Sequence, residues 1–353
     1  MARRCEAALE PVFLSMSQAV GVVERMGFLA EYFPYHAYTG EPAEAWNAAL
    51  KARLDEAIAF YDPRVIVFDG NVPYQSLIDA RASHPNRPFV WIRRPLWRPE
   101  HGRATVERAR HFDLVVEPGE LAAALDQGPT AGRGEETARV PPVILLAPGE
   151  VLPRAEAREA LGLDPDRTAV LVQLGSRNNF DYAAIDQAIL DELGRRPEME
   201  LVFVDWLIGE RRQDLPAHVR RLSTFPVPRF LAAFDLAVSA AGYNSFHELL
   251  SLAVPTVFVP NENPMMDAQE LRALWAERQG LALCVRHHDP YRMAWALRAL
   301  LDPARRAQLR ERCRSLPPCD GAAATARHLE HLAASVRVPG NPGSPPYTIP
   351  RNG

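Results

Sequence analysis

The stretch FDLAVSAAGYNSFHELLSLAVPTVFVPNENPMMDAQ, Phe234–Gln269, alternates apolar runs with turn-forming residues. It reads as a strand, a glycine turn at Gly242, a helix, a second strand, and a polar loop that opens another helix. In a parallel α/β sheet, the loops that leave the carboxyl ends of the strands share one edge. We therefore expect the turn at Gly242 and the loop 261–266 to face the same ligand, in the layout of a nucleotide site.

The same alternation of apolar runs and helical stretches continues through the chain, which predicts an α/β protein. The strand-like runs before the middle of the chain are Pro11–Leu14, Val65–Phe68, Phe89–Ile92 and Leu114–Val116. One core rarely grows past about 250–300 residues, so 353 residues with 47% apolar content predict two domains. The Gly, Pro and charge-rich segment 121–142 indicates the junction. We expect an N-terminal domain over 1–147, a C-terminal domain over 148–335, and a disordered tail over 336–353.

Composition excludes several classes of protein. The formal net charge of −4 and the pI near 6.2 provide no basic field for nucleic acid. The cysteines form no C-x-x-C pair and are too sparse for a disulfide scaffold, which favours a reducing cytoplasm; they are Cys5, Cys284, Cys313 and Cys319. No apolar run approaches the roughly 20 residues that span a bilayer. A soluble or at most membrane-peripheral protein is expected.

Two further phrases occur in order with the opening stretch: VLVQLGSRNNFD (170–181) and STFPVPRFLAAFDLAVSAAG (223–242). Together the three resemble the MurG-type GT-B glycosyltransferases, with a glycosyltransferase family 28 C-terminal domain, most clearly over 148–334. The resemblance implies two Rossmann-like domains facing a cleft. It also implies that a UDP-sugar donor binds mainly to the C-terminal half.

The first phrase places Gly175, Ser176 and Asn178 after a buried strand and before a helix. Small residues let backbone N–H groups approach a diphosphate closely, and Ser176 and Asn178 can donate further hydrogen bonds. Arg177 can neutralise phosphate charge or remain a solvated loop arginine. The alternative is an ordinary βα turn capped by Asn or by Asp181.

Gly242 can place the N-terminus of the next helix, with Asn244 and Ser245 in its first turn, against the pyrophosphate. In the resembling family, the glutamate at the position of Glu248 accepts hydrogen bonds from the ribose hydroxyls. A carboxylate can accept from two vicinal hydroxyls at once. The alternative is that Ser245 and Glu248 form a capping box, in which Glu248 binds its own backbone.

The resemblance also indicates which residues would contact the uracil and the transferred sugar of the donor. Phe225 and Val227, within FPVPR, would line an apolar wall for uracil. Asp267 and Gln269 would contact hydroxyls of the transferred sugar, and the polar Asn261 precedes them. The alternatives are a structural loop at Phe225 and a helix N-cap at Asp267. Relatives often carry a histidine at position 268, where this chain has alanine.

The N-terminal half departs from the family, because it lacks the glycine-rich turn and the histidine that acts as general base. The opening MARRCEAALEPVFL reads like the end of a first helix and a second strand, as if the start were truncated. Asp69 is the substitute candidate for the base, with an Asp-Gly turn as its alternative. The acceptor-side candidates follow strand-like runs; they are His36, Arg93, Arg94 and Trp97.

The predicted reaction is transfer of a sugar, N-acetylglucosamine first among candidates, from a UDP-sugar to an unknown hydroxyl acceptor. That acceptor is a glycan, a lipid-linked molecule or a small molecule. Transfer would invert the anomeric centre and need neither cofactor nor metal. His287 and His288 are adjacent, so their side chains are expected to point apart and to make a poor metal pair. The alternatives are a sugar-nucleotide epimerase and a non-catalytic nucleotide-sugar-binding subunit.

Overall fold

A computed structural model describes most of the chain; the described ranges are 1–5, 9–133, 137–175, 180–205 and 215–336. The chain divides into two compact units, and each is composed of separate segments. Unit 1 contains 1–120, 126–141 and the described residues from 321 onward. Unit 2 contains 121–125 and 142–320.

The described strands are short and mostly apolar, as expected for sheets covered on both faces. Those of unit 1 are β1 (Val12–Ser15), β2 (Leu29–Tyr32), β3 (Ile66–Asp69), β4 (Phe89–Ile92), β5 (Leu114–Pro118) and β6 (Ala138–Val140). Those of unit 2 are β7 (Thr168–Gln173), β8 (Met199–Val204), β9 (Arg220–Leu222), β10 (Leu236–Ser239), β11 (Thr256–Phe258) and β12 (Leu283–Cys284).

The helices connect these strands. They are α1 (Val20–Arg25), α2 (His36–Thr39), α3 (Ala43–Tyr61), α4 (Gln75–Ser83), α5 (Arg103–Val106), α6 (Arg154–Leu161), α7 (Ala183–Leu193), α8 (Tyr243–Ser251), α9 (Gln269–Arg278), α10 (Pro290–Leu301), α11 (Pro303–Arg314) and α12 (Gly321–Ser335). Within the described ranges, no helix combines the length and apolarity needed to cross a membrane.

The sheet of unit 2 fixes the location of the candidate site. Its strand order is β12-β11-β10-β7-β8-β9, and every pairing is parallel. The order reverses between β7 and β10, since β8 and β9 lie on one side of β7 and the later strands on the other. Ligands of open α/β sheets bind beyond the carboxyl ends of the strands at such a reversal.

Alternate residues along these strands face two separate cores of unit 2. Ala169 and Leu171 of β7 belong to one core, together with Phe246 of α8. Val170 and Val172 belong to the other, where α7 and α10 pack. Each core side chain on these strands is almost completely buried. Burial on both faces holds the strand ends, and therefore the loops that follow them, in fixed positions.

Unit 1 contains two parallel sheets. One pairs β1 with β2, and the other has the order β3-β4-β5-β6. Trp91 of β4 is fully buried and donates a hydrogen bond from Nε1 to the Gly70 carbonyl at 2.7 Å. This bond fixes the turn that follows Asp69, the last residue of β3.

Parallel α/β architecture is confirmed, and several elements match the sequence prediction closely. The strand Phe89–Ile92 has the predicted bounds, and the predicted runs Val65–Phe68 and Leu114–Val116 correspond to β3 and β5 within one or two residues at each end. The compact units differ from the predicted domain ranges at three places. Residues 121–125 and 142–147 join unit 2, and α12 joins unit 1, where it contacts β6 and the turn at 2–4.

The reason for the difference at the C-terminal end lies in α12 itself. Its buried positions include Ala322, Ala326 and Leu332, which form an apolar face that needs a partner. The sequence shows that face without showing which unit covers it. The predicted disordered tail, 336–353, lies outside the described residues from 337 onward.

Candidate functional site

The carboxyl ends of β7 and β10 are hydrogen-bonded side by side, with Gln173 opposite Ser239. The buried Gln173 side chain donates from Nε2 to Ser239 Oγ at 3.3 Å, and the Ala240 N–H donates to the Gln173 carbonyl at 3.1 Å. These contacts bring the loops after the two strands together at the point where the strand order reverses.

Gly175 begins the loop after β7 with a φ of 86°. This is the left-handed region, which glycine adopts without steric cost. No described atom lies within 4 Å of the position that a Cβ would occupy, so the constraint on Gly175 is conformational and the turn is open on that side. Three predicted phosphate ligands, Ser176, Arg177 and Asn178, lie outside the described residues.

Gly242 begins α8 as its N-cap, with φ −63° and ψ 151°, and no side chain in the described ranges caps the helix. The N–H groups of the first helical turn therefore point toward the open edge, the arrangement that binds anions in other proteins. Asn244 is exposed and Ser245 is half-buried in that first turn. A Cβ added at Gly242 would lie 3.7 Å from Gln269 Nε2, an ordinary contact distance.

Glu248 lies farther along α8 and is 8% exposed. Its Oε1 accepts a long hydrogen bond, 3.5 Å, from the Leu145 N–H. Burial raises the pKa of the carboxyl to about 7, and the Leu145 N–H opposes this rise. Because the N-cap is Gly242, Glu248 lies beyond the first turn and cannot complete a capping box, so that alternative is wrong.

Two residues that the sequence analysis did not single out fix the start of α8. The buried His247 has Nδ1 2.7 Å from the Tyr243 carbonyl, and its Nε2 accepts from the Leu121 N–H at 3.3 Å. This pair of contacts implies the neutral tautomer with the proton on Nδ1. The Tyr243 hydroxyl accepts from the Val143 N–H at 3.1 Å. Both residues tie α8 to the segments that enter unit 2.

The polar loop after β11 is ordered by its own side chains. Asn261 accepts from the Asn263 N–H at 2.9 Å, and Asn263 in turn accepts from the Met265 N–H at 2.9 Å. The buried Gln269 accepts from the Asn261 N–H at 3.1 Å through Oε1. Since Gln269 Nε2 also faces Gly242, the loop and the glycine turn meet, as the opening stretch of sequence predicts.

Asp267 does not cap α9, whose N-cap position is Ala268 without a side-chain cap, so the N-cap alternative is wrong. Its carboxylate instead pairs with Arg272, which is fully buried. The Arg272 Nη1 also donates to the Ala241 carbonyl at 3.3 Å, and the guanidinium lies 5.6 Å from the Tyr243 ring centre. Sequence reasoning missed Arg272, because one arginine in a helix of an arginine-rich chain gives no distinctive signal.

The predicted uracil wall is formed by one exposed and one packed residue. Phe225 is 40% exposed. Val227 begins a 3₁₀ segment, Val227–Ala233, and packs on a core of unit 2. The segment is held by the Leu152 N–H, which donates to the Arg229 carbonyl at 2.9 Å. The rigid support and the exposed ring are compatible with contact to a planar base.

Among the candidates of unit 1, Asp69 ends β3 and is open to solvent. Crowding by the surrounding chain still desolvates the carboxyl and raises its pKa, while Arg94 opposes the rise. The role of Asp69 as a general base stays a prediction, with the Asp-Gly turn as its alternative.

The predicted acceptor-side residues have different environments. Arg93 is fully buried, pairs with Glu117 at 3.2 Å, and lies 5.4 Å from the Trp91 ring centre. It is therefore part of the core of unit 1 and is not presented to an acceptor, contrary to the prediction. Arg94 and Trp97 are half-buried, and His36 begins α2 with its ring 4.3 Å from that of Tyr35. Their contact with an acceptor stays a prediction.

The residues 287–288 were expected to be a poor metal pair, because neighbouring side chains point apart. In the structure, however, His287, His288 and Glu262 offer ligand atoms that all lie within 4.8 Å of one another. The expectation considered only the two histidines and missed the carboxylate supplied by the loop after β11. The cluster lies at the same carboxyl edge of the sheet as Asn261.

Comparison with known proteins agrees with this arrangement. Residues 218–323 match the glycosyltransferase family 28 C-terminal domain. The structure is similar to that of Acinetobacter baumannii MurG, with a TM-score of 0.56 and 14% identity, over 91% of this chain and 90% of the MurG chain. The fold is GT-B, and the match to the family 28 domain lies within unit 2 apart from its last three residues. This domain contains β10, α8, β11 and α9, the elements that carry Gly242, Glu248, Asp267 and Gln269.

Other solved structures share the fold alone, at low identity. The calicheamicin glycosyltransferase CalG4 has a TM-score of 0.57 with 17% identity, over 91% of this chain and 90% of its own. A Listeria monocytogenes protein described as a putative UDP-N-acetylglucosamine 2-epimerase has a TM-score of 0.60 with 13% identity, over 92% and 87%. Since a transferase and an epimerase both match, the fold does not decide between these activities.

Curated relatives share sequence with part of the chain. A Salinibacter ruber protein is 30% identical over 192 residues, 52% of this chain and 51% of its own. An Aquifex aeolicus protein is 28% identical over 141 residues, 39% and 40%. Both are named UDP-N-acetylglucosamine–N-acetylmuramyl-(pentapeptide) pyrophosphoryl-undecaprenol N-acetylglucosamine transferase. The chain thus spans about half the length, or less, of these relatives.

Proposed function

We propose that the protein is a glycosyltransferase that uses a UDP-sugar, and that the sugar is N-acetylglucosamine. The proposal rests on one arrangement within the family 28 domain. The uncapped start of α8, the buried Glu248 and the Asp267–Gln269 turn belong to one carboxyl edge. Each part suits a different portion of a sugar nucleotide, and the curated relatives are named for the same donor.

In the proposed complex, the N–H groups at the start of α8 bind the diphosphate, which carries negative charge as the sugar departs. Glu248 accepts hydrogen bonds from the ribose hydroxyls. The backbone and ring at Phe225 and Val227 hold the uracil. Asp267 and Gln269 bind hydroxyls of the transferred sugar, with Asn261 supporting Gln269 through its N–H.

In the proposed reaction, an acceptor hydroxyl attacks the anomeric carbon as the bond from that carbon to the diphosphate oxygen breaks. Attack from the opposite face inverts the configuration, and the hydroxyl proton passes to Asp69. The electron pair of the broken bond leaves with UDP. We assign the charge stabilisation to the helix start, so the transfer needs no divalent metal.

The acceptor class is left open among a glycan, a lipid-linked molecule and a small molecule, because the family 28 match covers only the donor half. The curated relatives are named for a lipid-linked acceptor. If the acceptor of this protein is also lipid-linked, the enzyme would work at a membrane surface. We propose a cytoplasmic location, in accord with four free cysteines.

The decisive experiment is calorimetric titration of this chain with UDP, UDP-N-acetylglucosamine, UDP-glucose, GDP and dTDP, each with and without a chelator. We expect selective binding of the uridine nucleotides, tightest for UDP-N-acetylglucosamine, and no effect of the chelator. The Glu248→Ala variant should lose affinity for every uridine ligand. Equal affinity for all five nucleotides, or none in a folded sample, would refute the donor assignment.

A second incubation separates transfer from the epimerase alternative. UDP-N-acetylglucosamine is held with the protein without any acceptor, and the products are resolved by NMR. A transferase leaves the nucleotide sugar unchanged apart from slow hydrolysis. Appearance of an epimeric sugar would replace the transferase proposal by an epimerase. Turnover that starts only when candidate acceptors are added would support transfer.

A further inference from the structure

The loops that follow β11 and β12 run side by side because the two strands are paired in parallel, with Phe258 opposite Cys284. Glu262 and His288 each lie four residues beyond that pair, so the register itself brings them to the same level. His287 precedes His288 in the same loop. The carboxyl edge of unit 2 therefore collects one carboxylate and two imidazoles.

The contacts among these side chains leave ligand atoms facing one another. His287 Nδ1 lies 3.2 Å from Glu262 Oε2. This nitrogen is inaccessible to solvent and forms no well-directed hydrogen bond within the described residues. The His287 ring is held between Phe180, at 4.6 Å between ring centres, and His288, at 4.9 Å. The third ligand atom also lies within 4.8 Å of the others.

We propose that Glu262, His287 and His288 form a binding site for a divalent first-row transition cation of the zinc type. Two imidazole nitrogens and one carboxylate oxygen are a ligand set that zinc accepts, and the remaining coordination position is then filled by water. Ligands bound at about 2.0–2.1 Å around a tetrahedral ion are roughly 3.3 Å apart. The separation of 3.2 Å between Nδ1 and Oε2 already fits this value.

The cation Arg286 limits the affinity of this site. Its guanidinium contacts Glu262 Oε1, so Oε2 is the oxygen left for a metal. A positive charge beside the carboxylate opposes binding of a second cation. We therefore expect weaker binding than that of a structural zinc site, but still with one ion per chain.

To test the proposal, zinc chloride is titrated calorimetrically into the untagged chain after treatment with a chelator. The titration is then repeated with cobalt, and the visible absorption spectrum of the bound cobalt is recorded. We expect one Zn²⁺ per chain and a cobalt spectrum with the strong bands of a four-coordinate site. Binding of less than one equivalent, or a cobalt spectrum that stays that of the hydrated ion, would overturn the proposal.

Matched variants identify the ligands. Each ligand is replaced in turn, in the variants His288→Ala, His287→Ala and Glu262→Gln. Each variant should bind zinc at least about tenfold more weakly, since even the loss of a residue that only hydrogen-bonds to a metal ligand lowers metal affinity by that factor. The control is His101→Ala, which removes an exposed histidine of unit 1 and should leave zinc binding unchanged. Wild-type affinity in the three variants, or an equal loss in the control, would mean that the ion binds elsewhere. Retained UDP binding by His288→Ala checks that the variant is folded.

Discussion

Arg272 and Asp267 form an ion pair in which the guanidinium is completely buried and the carboxylate remains 21% exposed. The same guanidinium also binds the Ala241 carbonyl, next to Gly242. One buried cation thus connects the loop before α9 to the turn before α8. Both connected segments are proposed to bind the donor, which makes Arg272 a positioning residue for that site.

We expect Arg272→Met to lower the affinity for UDP-N-acetylglucosamine by at least about tenfold, equivalent to 1.4 kcal/mol. The affinity for UDP should fall less, because Asp267 is assigned to the sugar. Arg272→Lys should lie between, since lysine keeps the charge without the planar fork. Calorimetry with both ligands measures this difference. A variant that stays folded and binds both ligands as wild type does would exclude a positioning role.

The binding of UDP-N-acetylglucosamine should strengthen as the pH rises through about 7, the pKa of the Glu248 carboxyl in the free protein. Ribose hydroxyls donate to the ionised carboxylate, so its protonated fraction at lower pH opposes binding. UDP-N-acetylglucosamine is a better ligand than UDP for this measurement, because the terminal phosphate of UDP titrates near pH 6 and would add its own pH dependence to the affinity. Glu248→Gln should bind more weakly with little pH dependence. If the wild type shows the same flat profile, Glu248 does not contact the ribose.

The stability of the protein should also report on Glu248. Its pKa is raised from 4.5 to about 7 by folding, so the folded chain holds more protons than the unfolded chain between these values. Stability from this group is therefore lost as the pH rises from 4.5 and is constant above 7. Glu248→Gln should gain stability relative to wild type over that range, on the order of 1–3 kcal/mol. Urea unfolding at several pH values tests this; a constant difference would contradict it.

Gly242→Ala should lower the affinity for UDP while leaving the free energy of unfolding almost unchanged. Among the described residues, the added Cβ meets only Gln269 Nε2, at 3.7 Å, so the unfolding free energy should change by about 1 kcal/mol or less. The methyl group nevertheless lies at the helix start that is assigned to the diphosphate, and we expect UDP affinity to fall about tenfold. Calorimetry and urea unfolding measure the two effects.

The matched control for that substitution is Gly128→Ala, also a glycine-to-alanine change. There the added Cβ would lie 1.9 Å from the Trp97 carbonyl oxygen, so the backbone must shift and the protein should lose stability. UDP binding to the fraction that remains folded should be unchanged. The reverse pattern, with loss of folding at Gly242 and loss of binding at Gly128, would contradict the assignment.

Asp69→Asn should leave the affinity for UDP-N-acetylglucosamine unchanged and lower the rate of transfer by about 100-fold or more, because the amide cannot take the acceptor proton. The measurement is the turnover rate with an acceptor found by screening, beside donor titration of the same variant. Asp113→Asn is a comparison at another carboxylate of unit 1, one engaged with Arg81. An unchanged rate in Asp69→Asn would require another base.

The sequence predicted the strands and turns of the C-terminal half well because their signals are local. Apolar runs that end at Gly175 and Gly242 mark strand ends, and parallel strands share their carboxyl edge. The meeting of Gln269 with the glycine turn follows from that rule and is present in the structure. The uncapped helix start could also be anticipated, since glycine provides no capping side chain.

Other features depend on contacts between distant residues and could not be read from local patterns. Ser245 and Glu248 match a capping-box spacing, but the helix begins at Tyr243 and its N-cap is Gly242, three residues before Ser245, which only the structure reveals. Arg93 follows a strand as a ligand would, yet Glu117 of the neighbouring strand pairs with it in the core. The cation Arg272 is buried because Asp267 and Ala241 supply its partners.

The hydrogen bond from the Leu121 N–H to His247 has a practical consequence for dissecting the molecule. Residues 121–125 belong to unit 2 although the next segment, 126–141, belongs to unit 1. A fragment cut from 142 to 320 would retain the core of unit 2 but leave the buried His247 Nε2 without its donor. A faithful isolated donor domain would need residues 121–125 rejoined to Pro142 through a short linker. A single cut in the chain cannot separate the two units intact.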